Sequence, residues 1–105
     1  MVATGFGYDA AVRERQAAVV ARVLPRVRDI RRVGAAAVDL AWSACGRFDA
    51  YYERGVQHWD VAAGLLVCAR AGLEARRLEA RNGAPAGVLV APEPLVEPLL
   101  ELVGS

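Results

Sequence analysis

Trp59-Asp60-Val61-Ala62-Ala63-Gly64-Leu65-Leu66-Val67-Cys68-Ala69-Arg70-Ala71-Gly72 is the stretch that decides the fold. It is rich in Ala and Leu, and it ends in a glycine suited to a helix C-terminus, so it predicts a helix from Asp60 to about Arg70 closed by Gly72. An acidic residue stands at its start. Asp60 has two uses there. As an N-cap, its carboxylate accepts the free N–H of Ala62 or Ala63. As a ligand at the mouth of a sheet, the same carboxylate offers oxygen to a hard cation such as Mg²⁺. The two are compatible, because a carboxylate has two oxygens.

Working outward, Phe48 to Val56 contains Ala50-Tyr51-Tyr52-Glu53, an aromatic run that favours a strand. Before it, Gly34 opens a helix over Ala35 to Cys45, and Gly46 takes the C′ position. Val27 to Val33 alternates apolar and charged residues, as a short strand does. Ala10 to Leu24 has helical character, with Asp9 as N-cap and Pro25 as its stop. Thr4 to Tyr8 is a Gly-rich, aromatic strand end or loop. Downstream, Glu74 to Ala80 is a polar, exposed strand, and Asn82-Gly83 is a turn signal. Gly87 to Ala91 is a buried strand. Leu95 to Val103 is a last helix, with Pro94 near its first turn and Pro98 either delaying its start or kinking it. The order β-α-β-α-β-α-β-β-α implies an α/β fold, a mixed sheet flanked by helices. Structured sequence begins almost at Met1, and the expectation is that something belongs in front of it.

Composition excludes several classes. Hydrophobic residues make up 55% of the 105, enough for a packed core and too many for a disordered segment. No apolar run reaches the roughly 18 residues that span a bilayer. No basic segment followed by an apolar one marks a secretory signal, so a cytoplasmic protein without a membrane partner is expected. Thirteen basic residues, all Arg, face 12 acidic ones, and the net charge of +1 asks for no polyanion. Arg26, Arg28, Arg31 and Arg32 stand along the Val27–Val33 strand and its approach and are offset by nearby acids. They predict a solvated face and argue against nucleic acid. Cys45 and Cys68 lack metal-ligand spacing and are expected to be reduced thiols packed as small hydrophobes. Trp59 is expected in the core. His58, the lone histidine, cannot build a metal site. Asp9, Asp29, Asp39 and Asp49 sit in contexts that predict caps or surface.

Three blocks together carry a family resemblance. Trp59 to Gly72, with Trp-Asp, Ala/Gly-rich positions and an aliphatic run, resembles the C-terminal signature of the inositol monophosphatase family. Arg32-Val33-Gly34-Ala35-Ala36-Ala37-Val38-Asp39-Leu40 resembles its Gly-Ser/Thr-Ala-Ala segment. Gly46-Arg47-Phe48-Asp49-Ala50-Tyr51-Tyr52-Glu53 resembles its Gly-x-x-Asp-(Ala/Gly)-Tyr-x-Glu segment. The blocks keep the family's order and gaps and cover essentially the whole chain. Leu73 departs from it, standing where a second small residue usually follows Gly72.

The resemblance implies a fold, roles and a gap. The fold would be the C-terminal part of the sugar-phosphatase (αβαβα) architecture, with residues 1–105 as one subdomain. Asp60 would bind a catalytic Mg²⁺ and lie close to the substrate. Glu53 would accept a hydrogen bond from a hydroxyl of the inositol or sugar ring. Gly34, Ala35 and Ala36 would line the substrate pocket with backbone groups, without the hydroxyl the family often has at the place of Ala35. Family members hydrolyse the phosphoester with two or three Mg²⁺ ions that hold the phosphate, activate a water and stabilise the leaving alkoxide. Most ligands for those ions lie in an N-terminal half carrying Glu-Glu and Asp-Pro-x-Asp-Gly-Thr motifs, and neither motif occurs in these residues. The chain alone thus has no complete catalytic set and is expected to be inactive. It is expected to need the missing half in cis or in trans to act on inositol phosphate or a sugar phosphate. The alternative is a non-catalytic remnant serving folding, dimerisation or partner binding. A homodimer fits both.

Overall fold

A computed structural model describes residues 1–81 and 83–104. The elements run β1 (Val2–Thr4), α1 (Ala10–Val23), a 3₁₀ turn (Leu24–Arg26), β2 (Ile30–Arg31), α2 (Ala36–Ala44), β3 (Ala50–Arg54), α3 (His58–Arg70), β4 (Glu74–Leu78), β5 (Gly87–Ala91) and α4 (Glu93–Val103). The strands form one five-stranded sheet in the order β2-β1-β3-β5-β4. β1 pairs in parallel with both β2 and β3, while β5 runs antiparallel to β3 and β4. The expected mixed α/β sheet with flanking helices is the architecture found.

Period-two alternation divides the strands between two cores. Val2, Ala50, Tyr52, Leu89 and Ala91 face α1 and α4, meeting Val23, Val96, Leu99 and Val103. Ala3, Tyr51 and Val90 face α2 and α3, meeting Leu40, Val61 and Cys68. The α2–α3 approach is close because residue 64 is glycine: a Cβ there would lie 2.6 Å from Leu40 Cδ1 and 2.8 Å from Leu40 Cβ. Gly64 of the quoted helix is thus a packing residue.

Several expectations shift. The Val27–Val33 strand shrinks to Ile30–Arg31, because β1 offers only Val2 and Ala3 as partners there. Arg26, Arg28, Arg31 and Arg32 are all exposed, as expected, with Arg31 paired to Asp29, but only Arg31 lies in the strand, and Arg32 stacks over Phe6. The first helix begins as expected, with Asp9 Oδ1 accepting from Ala11 N at 2.9 Å. The second helix starts at Ala36, with Gly34 at φ +91° in the approach to it. The last helix starts at Glu93, with Pro94 in its first turn and Pro98 inside it, so Pro98 does not delay the start. Of the Asn82-Gly83 turn signal, Asn82 lies outside the described residues; Gly83 has φ +81°, and Arg81 and Ala84 exchange backbone hydrogen bonds of 3.0 and 2.8 Å.

Three burial expectations fail. Trp59 is 77% exposed. The buried face of α3 carries Val61 and Cys68, and a residue two positions before Val61 points away from it. Cys68 is buried as expected, with its Sγ 3.2 Å from Leu40 O, but Cys45 is exposed at the end of α2. Asp39 is 0% exposed, whereas Asp9, Asp29 and Asp49 are the cap and surface residues expected. Among the described residues, no helix is long and apolar enough to cross a membrane.

Candidate functional site

The topology picks out one place on the molecule. β1 and β3 are parallel neighbours; from β1 the chain passes into α1 on one face of the sheet, and from β3 into α3 on the other. The loops leaving β1 and β3 therefore diverge and leave a crevice at the carboxyl ends of the parallel strands, where open α/β sheets bind ligands.

A cleft of about 630 Å³ occupies that crevice. Gly5 to Asp9 enter it from the end of β1, Arg32 and Gly34 from beyond β2, and Ala35 to Ala37 from the start of α2. Glu53 to Val56 enter from the end of β3, and Asp60 from the first turn of α3. All five residues singled out in the sequence, Gly34, Ala35, Ala36, Glu53 and Asp60, line this one cleft.

Each position has a local cause. Gly34 adopts φ +91°, the left-handed region that favours glycine, and turns the chain from β2 into α2. Ala35 caps α2 without any side-chain hydrogen bond, so no side chain of the cap competes for the first-turn amides. Asp60 is not the N-cap of α3. Gln57 holds that position, and Asp60, in the third helical position, reaches back so that Gln57 N donates to its Oδ2 at 3.1 Å. This is one half of a capping box. One oxygen is thus engaged in its own helix, yet the residue is exposed and on the cleft wall.

Glu53 is half-buried. Tyr51 Oη donates to its Oε1 at 2.8 Å. A Cβ at residue 5 would collide with the same carboxylate, so Gly5 is what leaves room for it. Burial pushes the Glu53 carboxyl up from the usual range; the Tyr51 hydroxyl and Arg32 pull it down, and Asp60 adds to the rise. Arg32 lies with its guanidinium carbon 5.7 Å from the Phe6 ring centre, at the cleft wall.

Asp39 is the residue that sequence inspection missed. It sits in α2 with both carboxylate oxygens buried and without hydrogen-bond partners. Burial, and next the charge of Glu53, raise its pKa to about 6, against the pull of Arg32. The signal was present: Ala36, Asp39, Leu40 and Ser43 follow the i, i+3, i+4, i+7 spacing of one helix face, and Leu40 marks that face as the buried one.

The cleft offers carboxylate oxygen at Asp9, Glu53 and Asp60, backbone groups at the start of α2, and the guanidinium groups of Arg32 and Arg54. Among the described residues, no three His, Cys, Asp or Glu side chains come together to hold a metal ion.

A model of the inositol monophosphatase family matches residues 1–100. The chain is 51% identical over 94 residues to the inositol-1-monophosphatase SuhB of Mycobacterium tuberculosis, a match covering 90% of this chain and 32% of that relative. Among solved structures, M. tuberculosis SuhB aligns with a TM-score of 0.83 at 46% identity, covering 96% of this chain and 39% of that one. An inositol monophosphatase from Anabaena aligns with a TM-score of 0.82 at 32% identity, covering 96% of this chain and 41% of that one. The chain spans about a third of the length of the curated relatives it matches. On sequence and on fold alike, this chain belongs to the inositol monophosphatase family.

Proposed function

We propose that residues 1–105 are the C-terminal subdomain of a Mg²⁺-dependent phosphoric monoester hydrolase acting on inositol 1-phosphate or a related sugar phosphate. A further half, in cis or in trans, provides the remaining metal ligands. The observation that carries this is the convergence of Glu53, Asp60 and the Gly34–Ala36 helix start on one cleft at the carboxyl ends of the parallel strands. Several of the curated relatives bear the name inositol-1-monophosphatase.

Each residue then has a task its chemistry suits. Glu53, as a carboxylate, accepts a hydrogen bond from a ring hydroxyl of the substrate. The amides at the start of α2 favour the anionic or hydroxyl-bearing part of the ligand. Asp60 fits Mg²⁺ as one ligand, since it is exposed on the cleft and only its Oδ2 is bonded within the helix. The chain does not fit Mg²⁺ as a complete ligand set, because no second and third donor stand beside Asp60 among the described residues. When bound, Mg²⁺ supplies positive charge against the phosphate and the leaving oxygen.

A homodimer in the cytoplasm is the expected setting. A second reading, a non-catalytic module for folding, dimerisation or partner binding, is favoured by the exposed apolar residues Trp59, Leu66 and Val67 on α3. Complementation separates the two. Hydrolysis of inositol 1-phosphate in Mg²⁺ is expected to be absent with the chain alone and to appear when the family's N-terminal half is added. A folded, associated pair of halves with no hydrolysis would leave only the non-catalytic module.

A further inference from the structure

We infer that Tyr51 is a positioning residue for Glu53: its buried hydroxyl holds Glu53 Oε1 from beneath the cleft and leaves Oε2 to accept from a hydroxyl-bearing ligand. The inference rests on the role proposed above for Glu53 and names what gives that carboxylate its direction.

The geometry begins with the strand. Tyr51 and Glu53 stand two residues apart on β3, so both project to the same face of the sheet. Tyr51 is 0% exposed, packed in the core with Leu40, Val61 and Cys68. A side chain enclosed on all sides has one orientation for its hydroxyl oxygen, and that oxygen lies 2.8 Å from Glu53 Oε1. A hydroxyl has one proton to give. Here Glu53 takes it, while the two oxygens of buried Asp39 have no partner. On its other side, the Glu53 carboxylate lies against Gly5, where any Cβ would strike it. The carboxylate is therefore seated between a fixed donor and a backbone without a side chain.

Two energetic consequences follow. A hydrogen bond to the charged form favours that form, so the Tyr51 hydroxyl opposes the rise in Glu53 pKa caused by burial. A charge-assisted bond is also about twice as strong as a neutral one, enough to hold a half-buried side chain in a single direction. Without it, Glu53 has only the open cleft to turn into.

The test uses the chain itself and NMR of the two groups. With Tyr labelled at the ring carbon that bears oxygen, the Tyr51 resonance in the wild type is compared with that in Glu53→Gln. With Glu labelled at the carboxyl carbon, the Glu53 resonance is compared with that in Tyr51→Phe. Both resonances are expected to move, and Tyr51→Phe is expected to raise the pH midpoint of Glu53, because the hydrogen bond that favours its charged form is lost. A Tyr51 resonance unchanged in Glu53→Gln overturns the inference, and this arm stands even if Tyr51→Phe does not fold. A Glu53 resonance and midpoint unchanged in a folded Tyr51→Phe overturn it as well. Neither measurement involves turnover, so a failure of the phosphatase proposal would leave these signals in place, and a failure of the pairing would leave complementation intact.

Discussion

Asp39 offers a perturbation whose size follows from the structure. Its carboxyl is fully buried with both oxygens unpartnered, and its pKa lies at about 6 in the fold against 3.8 for the free side chain. Between those values the folded chain keeps a proton that the unfolded chain has released. Stability is therefore highest below about pH 4 as far as this group is concerned, and it falls as pH rises toward 6. The total is about 2 units, or roughly 3 kcal/mol. Asp39→Asn keeps the shape and stays neutral throughout, so it removes this cost once the aspartate is ionised. In urea unfolding followed by Trp fluorescence, the variant is expected to gain on the wild type by about 3 kcal/mol between pH 3 and pH 7.5. At about 5 °C per kcal/mol for a domain of this size, the relative gain in Tm is on the order of 15 °C. A difference between the two proteins that stays constant over that range would refute the argument, whatever its sign, because a buried unpartnered carboxylate cannot be indifferent to its own ionisation.

Other substitutions probe the scaffold. Gly64→Val places a branched side chain against Leu40 Cβ, which cannot rotate away, and should cost about 3 kcal/mol in chemical denaturation with loss of the α2–α3 contact. Asp9→Ala removes the acceptor for Ala11 N and should cost about 1 kcal/mol in the same assay. Trp59→Ser, at an exposed site, should leave the stability of a monomer within about 0.5 kcal/mol. If Trp59 lies in a dimer interface, the same change should instead shift sedimentation toward the monomer.

The sequence showed most of the element order, and the reasons are local. Asp9 before an Ala-rich run, Gly46 and Gly72 after helices, and the aliphatic Gly87–Ala91 run are signals contained within a few residues. Glu53 and Asp60 were found because their surrounding blocks match a family, and the fold brings them to one cleft. What was not legible depends on partners distant in sequence. β2 is short because β1 is short. Trp59 faces outward because Val61 and Cys68 set the buried side of α3. Asp60 has the third helical position because Gln57 begins the helix earlier than a strong capping residue would suggest. The burial of Asp39 was legible in part, through its spacing with Leu40 and Ser43, but an acidic residue in an Ala-rich segment reads more readily as surface. The Tyr51–Glu53 bond was accessible from the period of a strand alone, had the two side chains been considered together.

The most direct measurement is Mg²⁺-dependent hydrolysis of inositol 1-phosphate by the complemented protein, comparing wild type with Asp60→Asn. Loss of one charged oxygen ligand with the fold retained should lower the rate on the order of a hundredfold or more. A rate equal to that of the wild type would remove Asp60 from the metal site and contradict the assignment of this cleft to phosphate-ester chemistry.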